Sequence, residues 1–270
     1  MSSAAEALAP TPAVPALDLF SLKGQNALIT GGSRGIGQAI AIALSQAGAH
    51  VVLAQRDVSN TSTRDKIVAS GGRCDIIKCD LEDLKDCESV FDRAVEAVGE
   101  VQVLVNCGGM LKRTDSVDVK QEEWQQVLNV NLNSLFIICQ GAGRHMIPRR
   151  RGHIINVASL NSFIGGIRVA SYAAAKGAVG TLTKALSNEW AKHNITVNAI
   201  APGSVATDIN AEARKNPEFI SSRLAGTPGG RWGTPEDFAG PAVFLASAAS
   251  QFITGEMIVV DGGAMAKGPI

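Results

Sequence analysis

Short apolar runs alternate with amphipathic stretches along almost the whole chain, and that alternation restricts the fold more than any other property of the sequence. Residues 27–30 read as a strand that breaks at Gly31-Gly32, and residues 36–47 as a helix closed by Gly48. Strands follow at 51–54, 74–79, 101–105, 153–157, 195–200 and 257–260. Between them lie a weak helix at 62–69, a periodic helix at 84–98, a long helix over about 121–147 and a strongly periodic one at 173–192. Thr234, Pro235, Glu236 and Asp237 supply an N-cap, a first-position proline and two acids for a late helix. Strands that are apolar throughout belong in a parallel sheet covered on both faces. About seven strands result, in one α/β domain over residues 21–270, preceded by a loose tail over 1–20.

The first turn, Thr30-Gly31-Gly32-Ser33-Arg34-Gly35-Ile36-Gly37, separates an apolar strand from a helix. Glycines there let backbone N–H groups approach a diphosphate at the positive end of the helix. The spacing is G-x-x-x-G-x-G, and no Gly-Lys-Ser/Thr follows, which disfavours a P-loop NTPase. The end of the second strand should read the ribose, where an acid bonds the 2′-hydroxyl and a cation accepts a 2′-phosphate. Gln55 stands where that acid is expected, Arg56 follows it, and Arg34 lies in the glycine loop. Two guanidiniums favour NADP, with NAD still open. Asp57 either pairs with Arg56 or faces the ribose.

Twenty-five basic residues balance 25 acidic ones, which argues against a nucleic-acid or membrane-surface partner. No run approaches the roughly 18 apolar residues of a membrane span. The first 20 residues hold two acids and no Lys or Arg, unlike a signal peptide or a mitochondrial presequence. Five cysteines, with no C-x-x-C pair, read as reduced thiols in a cytoplasmic protein, with no metal site.

Tyr172 is the only tyrosine, and Lys176 follows it by one helical turn. An ammonium beside a phenol favours the phenolate, so Tyr-x-x-x-Lys is a serviceable acid/base pair. Ser159 ends the fifth strand, at the sheet edge that also carries the glycine loop. These features resemble the short-chain dehydrogenase/reductase family over residues 21–265. The likeness extends to Asp80 after the third strand, Asn106-Cys107-Gly108-Gly109 after the fourth, Asn129-Val130-Asn131, and the run from Asn198 to Thr207.

The resemblance implies a single Rossmann-like, doubly wound α/β domain and a tetrad of Asn131, Ser159, Tyr172 and Lys176. Tyr172 would be the acid/base and Ser159 would stabilise substrate oxygen. Lys176 would hold the nicotinamide ribose and lower the Tyr172 pKa, and Asn131 would hold a relay water. The implied cofactor contacts are Gly31, Ser33, Arg34, Gly35, Ile36, Gly37, Gln55, Arg56, Asp80, Leu81 and Asn106. Tyr172, Lys176, Pro202, Gly203, Val205 and Thr207 complete that set. Family members are usually tetrameric. The chain departs from the family at Cys107, which replaces an amide that commonly ties the central strands together.

Lys112-Arg113 and Arg168 put cations near the expected substrate, and a guanidinium matches a carboxylate. The substrate set is therefore Arg113, Ser159, Arg168 and Tyr172, with a sugar acid or keto acid as the simplest ligand. Gly165-Gly166-Ile167-Arg168, the run Asn188 to Asn194, and Gly230-Arg231-Trp232-Gly233 are similar to a sugar-acid branch of the family. That branch includes 2-dehydro-3-deoxygluconate 5-dehydrogenases, 2-deoxygluconate 3-dehydrogenases and gluconate 5-dehydrogenases, and its members often use NAD. The expected activity is reversible hydride transfer between nicotinamide and a secondary alcohol. A broad carbonyl or 3-oxoacyl reductase is the alternative on the same scaffold. A non-catalytic nucleotide-binding scaffold is a second, though it would have no use for the Ser159, Tyr172 and Lys176 set.

Overall fold

A computed structural model of the chain describes residues 14–268. Its sheet is built from β1 (Asn26–Thr30), β2 (His50–Gln55), β3 (Arg73–Lys78), β4 (Val103–Asn106), β5 (Gly152–Val157), β6 (Ile195–Pro202) and β7 (Met257–Val260). The strand order is β3-β2-β1-β4-β5-β6-β7 and every pairing is parallel. β1 lies inside the sheet, between β2 and β4, and its side chains are apolar on both sides. Leu28 packs into one buried cluster with Val52, Leu104 and Ile154, while Ala27 and Ile29 pack into the other with Val51, Leu53 and Val103. Strict alternation along the strand feeds both cores, and neither face meets water.

Helices α1 (Gly35–Gln46), α2 (Ser62–Ala69) and, late in the chain, α8 (Ala239–Ala246) cover one face. Ile40, Leu44, Phe238 and Leu245 are fully buried there. On the other face lie α3 (Leu84–Val98), α4 (Gln121–Leu128), α5 (Ser134–Arg149) and α6 (Ala170–Trp190), with Phe91, Ile138 and Val179 as anchors. Each such side chain contributes on the order of 1.5–3 kcal/mol by leaving water.

Several boundaries differ from the sequence expectation for local reasons. The long helix over 121–147 is interrupted by a π turn at Asn129–Asn133, which places Asn131 at a slip in the helical hydrogen bonding. α6 begins at Ala170, so Tyr172 sits in its first turn. Thr234 and Asp237 form a capping box, and a short 3-10 turn, Pro235–Phe238, leads into α8. A further helix, α7 (Pro217–Ala225), was not expected. Asn216 caps it by accepting from the N–H groups of Glu218 and Phe219, and Pro217 opens it.

The expected tail over 1–20 lies mostly outside the described residues. Within them, Asp18–Phe20 forms one 3-10 turn, and the Phe20 ring lies 6.3 Å from that of Phe244. Among the described residues no helix is long and apolar enough to cross a membrane, and no group of three metal-binding side chains comes together.

Candidate active site

The strand order reverses between β1 and β4, and the loops leaving their carboxyl ends diverge to open a cleft of about 710 Å³. Gly31 turns there at φ +68°, and a Cβ on it would stand 2.6 Å from the Cα of Gly108. Gly37 is equally constrained, since a Cβ would stand 2.2 Å from the carbonyl oxygen of Gly31. Thr30 locks the two loops together, its hydroxyl accepting from the N–H groups of Cys107 and Gly108 at 3.2 Å each. No side chain caps the start of α1, so its first N–H groups face the cleft unengaged by a cap. This cradle fits a dinucleotide diphosphate.

The end of β2 organises itself. The Gln55 amide donates to the carbonyls of Asp57 and Asn60 at 2.7 and 2.8 Å, while its own Oε1 is buried with no partner. Gln55 as a residue contributes to the cleft wall. The Asp57 carboxylate takes the Ser59 hydroxyl and N–H at 2.6 and 2.9 Å, which holds its pKa below the usual carboxylate value. Asp57 thus neither pairs with Arg56 nor needs a ribose. Arg56 is exposed on the cleft wall. Arg34 instead reaches Asp208 at 3.2 Å across the mouth, an exposed pair of little energetic weight.

On the opposite wall, Ser159 follows β5 in an extended conformation, its hydroxyl accepts the Asn161 N–H at 3.1 Å, and both it and Tyr172 line the cleft. Burial pushes the Tyr172 phenol above its ordinary value, and the nearby Ser159 hydroxyl partly opposes the push. The expected lowering by Lys176 is therefore not the net result. The Lys176 ammonium lies 5.8 Å from the Tyr172 ring centroid and donates to the Val157 carbonyl at 2.6 Å. Only 4% exposed, it is pulled down to about 8 by desolvation. Asn131 donates to the carbonyls of Met110 and Val127 at 2.9 Å each and accepts from the Met110 N–H at 3.2 Å. Gly109 lies between it and Lys176: a Cβ there would be 2.9 Å from Asn131 Oδ1 and 4.0 Å from the ammonium. Chemically, the Ser159 and Tyr172 oxygens can grip one substrate oxygen while the phenol exchanges its proton.

Outside the cleft, a cationic rim forms. Arg113 lies 5.7 Å above the Phe219 ring, and Arg223 lies 5.2 Å from the same ring. Arg168, at φ +63°, pairs with Asp115 at 3.1 Å, and its carbonyl accepts the Thr114 N–H at 3.0 Å. Partial burial and the charges of Arg223 and Arg168 hold the Arg113 guanidinium below its ordinary pKa.

Comparison with known proteins agrees with this geometry. The family described as enoyl-(acyl carrier protein) reductase matches residues 31–265. The 2-dehydro-3-deoxy-D-gluconate 5-dehydrogenase of Bacillus subtilis is 46% identical over 93% of this chain and 98% of its own. The Escherichia coli protein of the same name is 42% identical over 93% and 99%. A gluconate 5-dehydrogenase from Burkholderia cenocepacia, crystallised with NADP and tartrate, superposes with a TM-score of 0.90 at 36% identity, covering 94% of this chain and all of the other. The chain belongs to the short-chain dehydrogenase/reductase family. It is an NAD(P)-dependent oxidoreductase acting on CH–OH groups.

Of the site residues expected for a short-chain dehydrogenase/reductase, Gly31, Ser33, Arg34, Gly35, Ile36, Gly37, Gln55, Arg56, Asp80 and Leu81 line the cleft. So do Asn131, Ser159, Tyr172, Lys176, Pro202, Gly203, Val205 and Thr207. Three expected residues do not: Asn106, Arg113 and Arg168. Asn106 ends β4 pointing into the core, where its amide donates to Asn156 at 3.0 Å and to the Cys139 sulfur at 3.3 Å. Asn156 in turn donates to Thr183 at 3.0 Å. This chain of amides ties β4 to β5 and α6, so the strands stay joined although Cys107 replaces the usual family amide. Cys107 itself lines the cleft, its thiol pushed up to about 11 by burial. The sequence reading also missed Met110, whose backbone holds Asn131, and Asp208–Asn210, which close the mouth. Met110 immediately follows the Asn106–Gly109 motif, and that adjacency was the available signal.

Proposed function

We propose that the chain interconverts a secondary alcohol and a ketone on a sugar acid of the gluconate or keto-deoxygluconate type, with NADP as the favoured cofactor and NAD still open. The observation that carries the chemistry is the placement of Ser159 and Tyr172 on one cleft, with a buried Lys176 one helical turn beyond the phenol. The bound nicotinamide supplies the hydride acceptor or donor. Gly31, Gly37 and the start of α1 would hold its diphosphate; Arg56, and Arg34 once released by Asp208, would meet a 2′-phosphate.

Ser159 fixes the substrate oxygen by hydrogen bonding. In oxidation Tyr172, as phenolate, takes the hydroxyl proton; in reduction it returns one. The Lys176 charge stabilises the phenolate against the cost of burial. Asn131 positions Met110 and Gly109 beside the ammonium and holds a water that relays protons from Lys176.

The arginines at the rim, and relatives named for dehydrogenation of gluconate derivatives, support an acidic substrate. We also place the enzyme in the cytoplasm, in keeping with five free thiols, and as a homotetramer. A panel of sugar acids, polyols, ketones and 3-oxoacyl thioesters, assayed with both cofactors, tests the reading. Highest kcat/KM on a sugar acid supports it. Highest kcat/KM on thioesters or neutral ketones overturns it in favour of a broad reductase.

A further inference from the structure

Two guanidiniums from distant segments share one aromatic ring at the rim. Arg223 and Phe219 lie one turn apart on α7, so their contact is internal to that helix. Arg113, in the loop beyond β4, reaches the same ring from outside. A guanidinium held near an aromatic ring as a cation keeps N–H groups available for other partners. Among the described residues neither side chain donates a hydrogen bond, although both are exposed. Arg168 stands near, its charge offset by Asp115. Three cations and one acid leave a surplus of positive charge, and Arg113 follows Met110, which lines the cleft, by three positions in the chain. A cluster of like charges is costly unless an anion joins it, and the contact with Phe219 holds both guanidiniums close to one ring at that cost.

From the shared Phe219 ring and the unengaged N–H groups, we infer that Arg223 is a specificity-determining residue. With Arg113 it binds the carboxylate of the substrate, at the end of the molecule away from the carbinol held by Ser159 and Tyr172. Phe219 is the platform that sets the spacing of the two guanidiniums. α7 thereby reads the acid group, and the rest of the substrate spans from the rim into the cleft. This assignment rests on the sugar-acid reading above.

The test compares wild type with Arg223→Gln and Arg223→Lys, on a sugar acid and on the polyol that lacks its carboxylate. NADPH binding is titrated in parallel by fluorescence. For Arg223→Gln the expected result is a KM for the acid raised about 10-fold or more, the scale of losing a charge-assisted hydrogen bond. Its kcat, its KM for the polyol and its NADPH affinity should stay near wild type. Arg223→Lys should recover part of the acid KM, since it keeps the charge without the planar fork. An unchanged acid KM in Arg223→Gln, or equal rises for acid and polyol, overturns the assignment of Arg223 while leaving the sugar-acid reading intact. A wild-type enzyme that does not prefer the acid over the polyol overturns both.

Discussion

Tyr172 and Lys176 are neighbours on one helix face, yet burial dominates the protonation of both. The phenol is pushed up and the ammonium down, so burial favours the neutral form of each. Replacing Tyr172 by Phe removes only the oxygen that exchanges the proton. We expect kcat to fall by at least ~100-fold with NADPH affinity unchanged, measured by steady-state kinetics and fluorescence titration. Turnover near wild type would remove Tyr172 from the mechanism. Among the described residues Arg56, at the end of β2, makes no ion pair, whereas Arg34 pairs with Asp208. Arg56→Ala should weaken NADP binding by roughly 10-fold or more and leave NAD binding nearly unaffected. Equal losses for the two cofactors would show that Arg56 does not meet the phosphate. Fixed spacings made these residues legible in the sequence: Tyr-x-x-x-Lys, a serine at a strand end, and glycines at a turn. The inward turn of Asn106 was not legible, because the period-two alternation of a strand puts it and Cys107 on opposite sides, and a motif does not say which is which.

The elements themselves were largely readable, because helix and strand periods differ and apolar runs are short and well separated. α2 and α3 have the bounds their sequence predicts, Ser62–Ala69 and Leu84–Val98. The π turn inside the long helix escaped, since a slip of one residue leaves the apolar face continuous on either side. α7 escaped because none of its residues is fully buried and its apolar pattern spans barely two turns, although Asn216-Pro217-Glu218 is a clear start signal. The β5–β6 pair carries a pH dependence. His153 on β5 bonds Thr196 on β6 at 2.9 Å, and burial, aided by the Arg151 charge, drops its pKa to about 4. The unfolded chain takes that proton near pH 6.5 while the folded one refuses it until about 4. The stabilisation from a neutral His153 is therefore present above pH 6.5 and lost as pH falls toward 4, by about 3 kcal/mol. Urea unfolding across that range should show a smaller acid loss in His153→Asn than in wild type. Identical profiles would place the acid sensitivity elsewhere.

At the scale of the whole molecule, one sheet with a single reversal of strand order gathers every candidate catalytic group at one edge. Loops of residues 31–37, 107–111, 158–159 and 202–210 meet there, although they are scattered over most of the chain. The far edge of the sheet is less covered. β7 is only half-buried, Val259 is exposed, and Phe252, in the segment that leads into β7, stands fully in solvent. A tetramer built through β7 and α8 would cover that apolar edge. Light scattering should give a mass of four chains, and Phe252→Asp should shift it toward smaller species. A wild-type monomer would exclude the assembly. The rim arginines belong to this scale too, since Arg113 and Arg223 are 110 positions apart and meet only in the folded chain.

Gln55 has a consequence for anyone wishing to redesign coenzyme choice. Its amide nitrogen staples the bend that follows β2. An aspartate at that position would bring the negative charge that repels a phosphorylated adenosine, but it has no nitrogen to hold the bend. The same exchange would thus disorder the loop that presents Arg56, so a clean conversion must first give the bend another fastening.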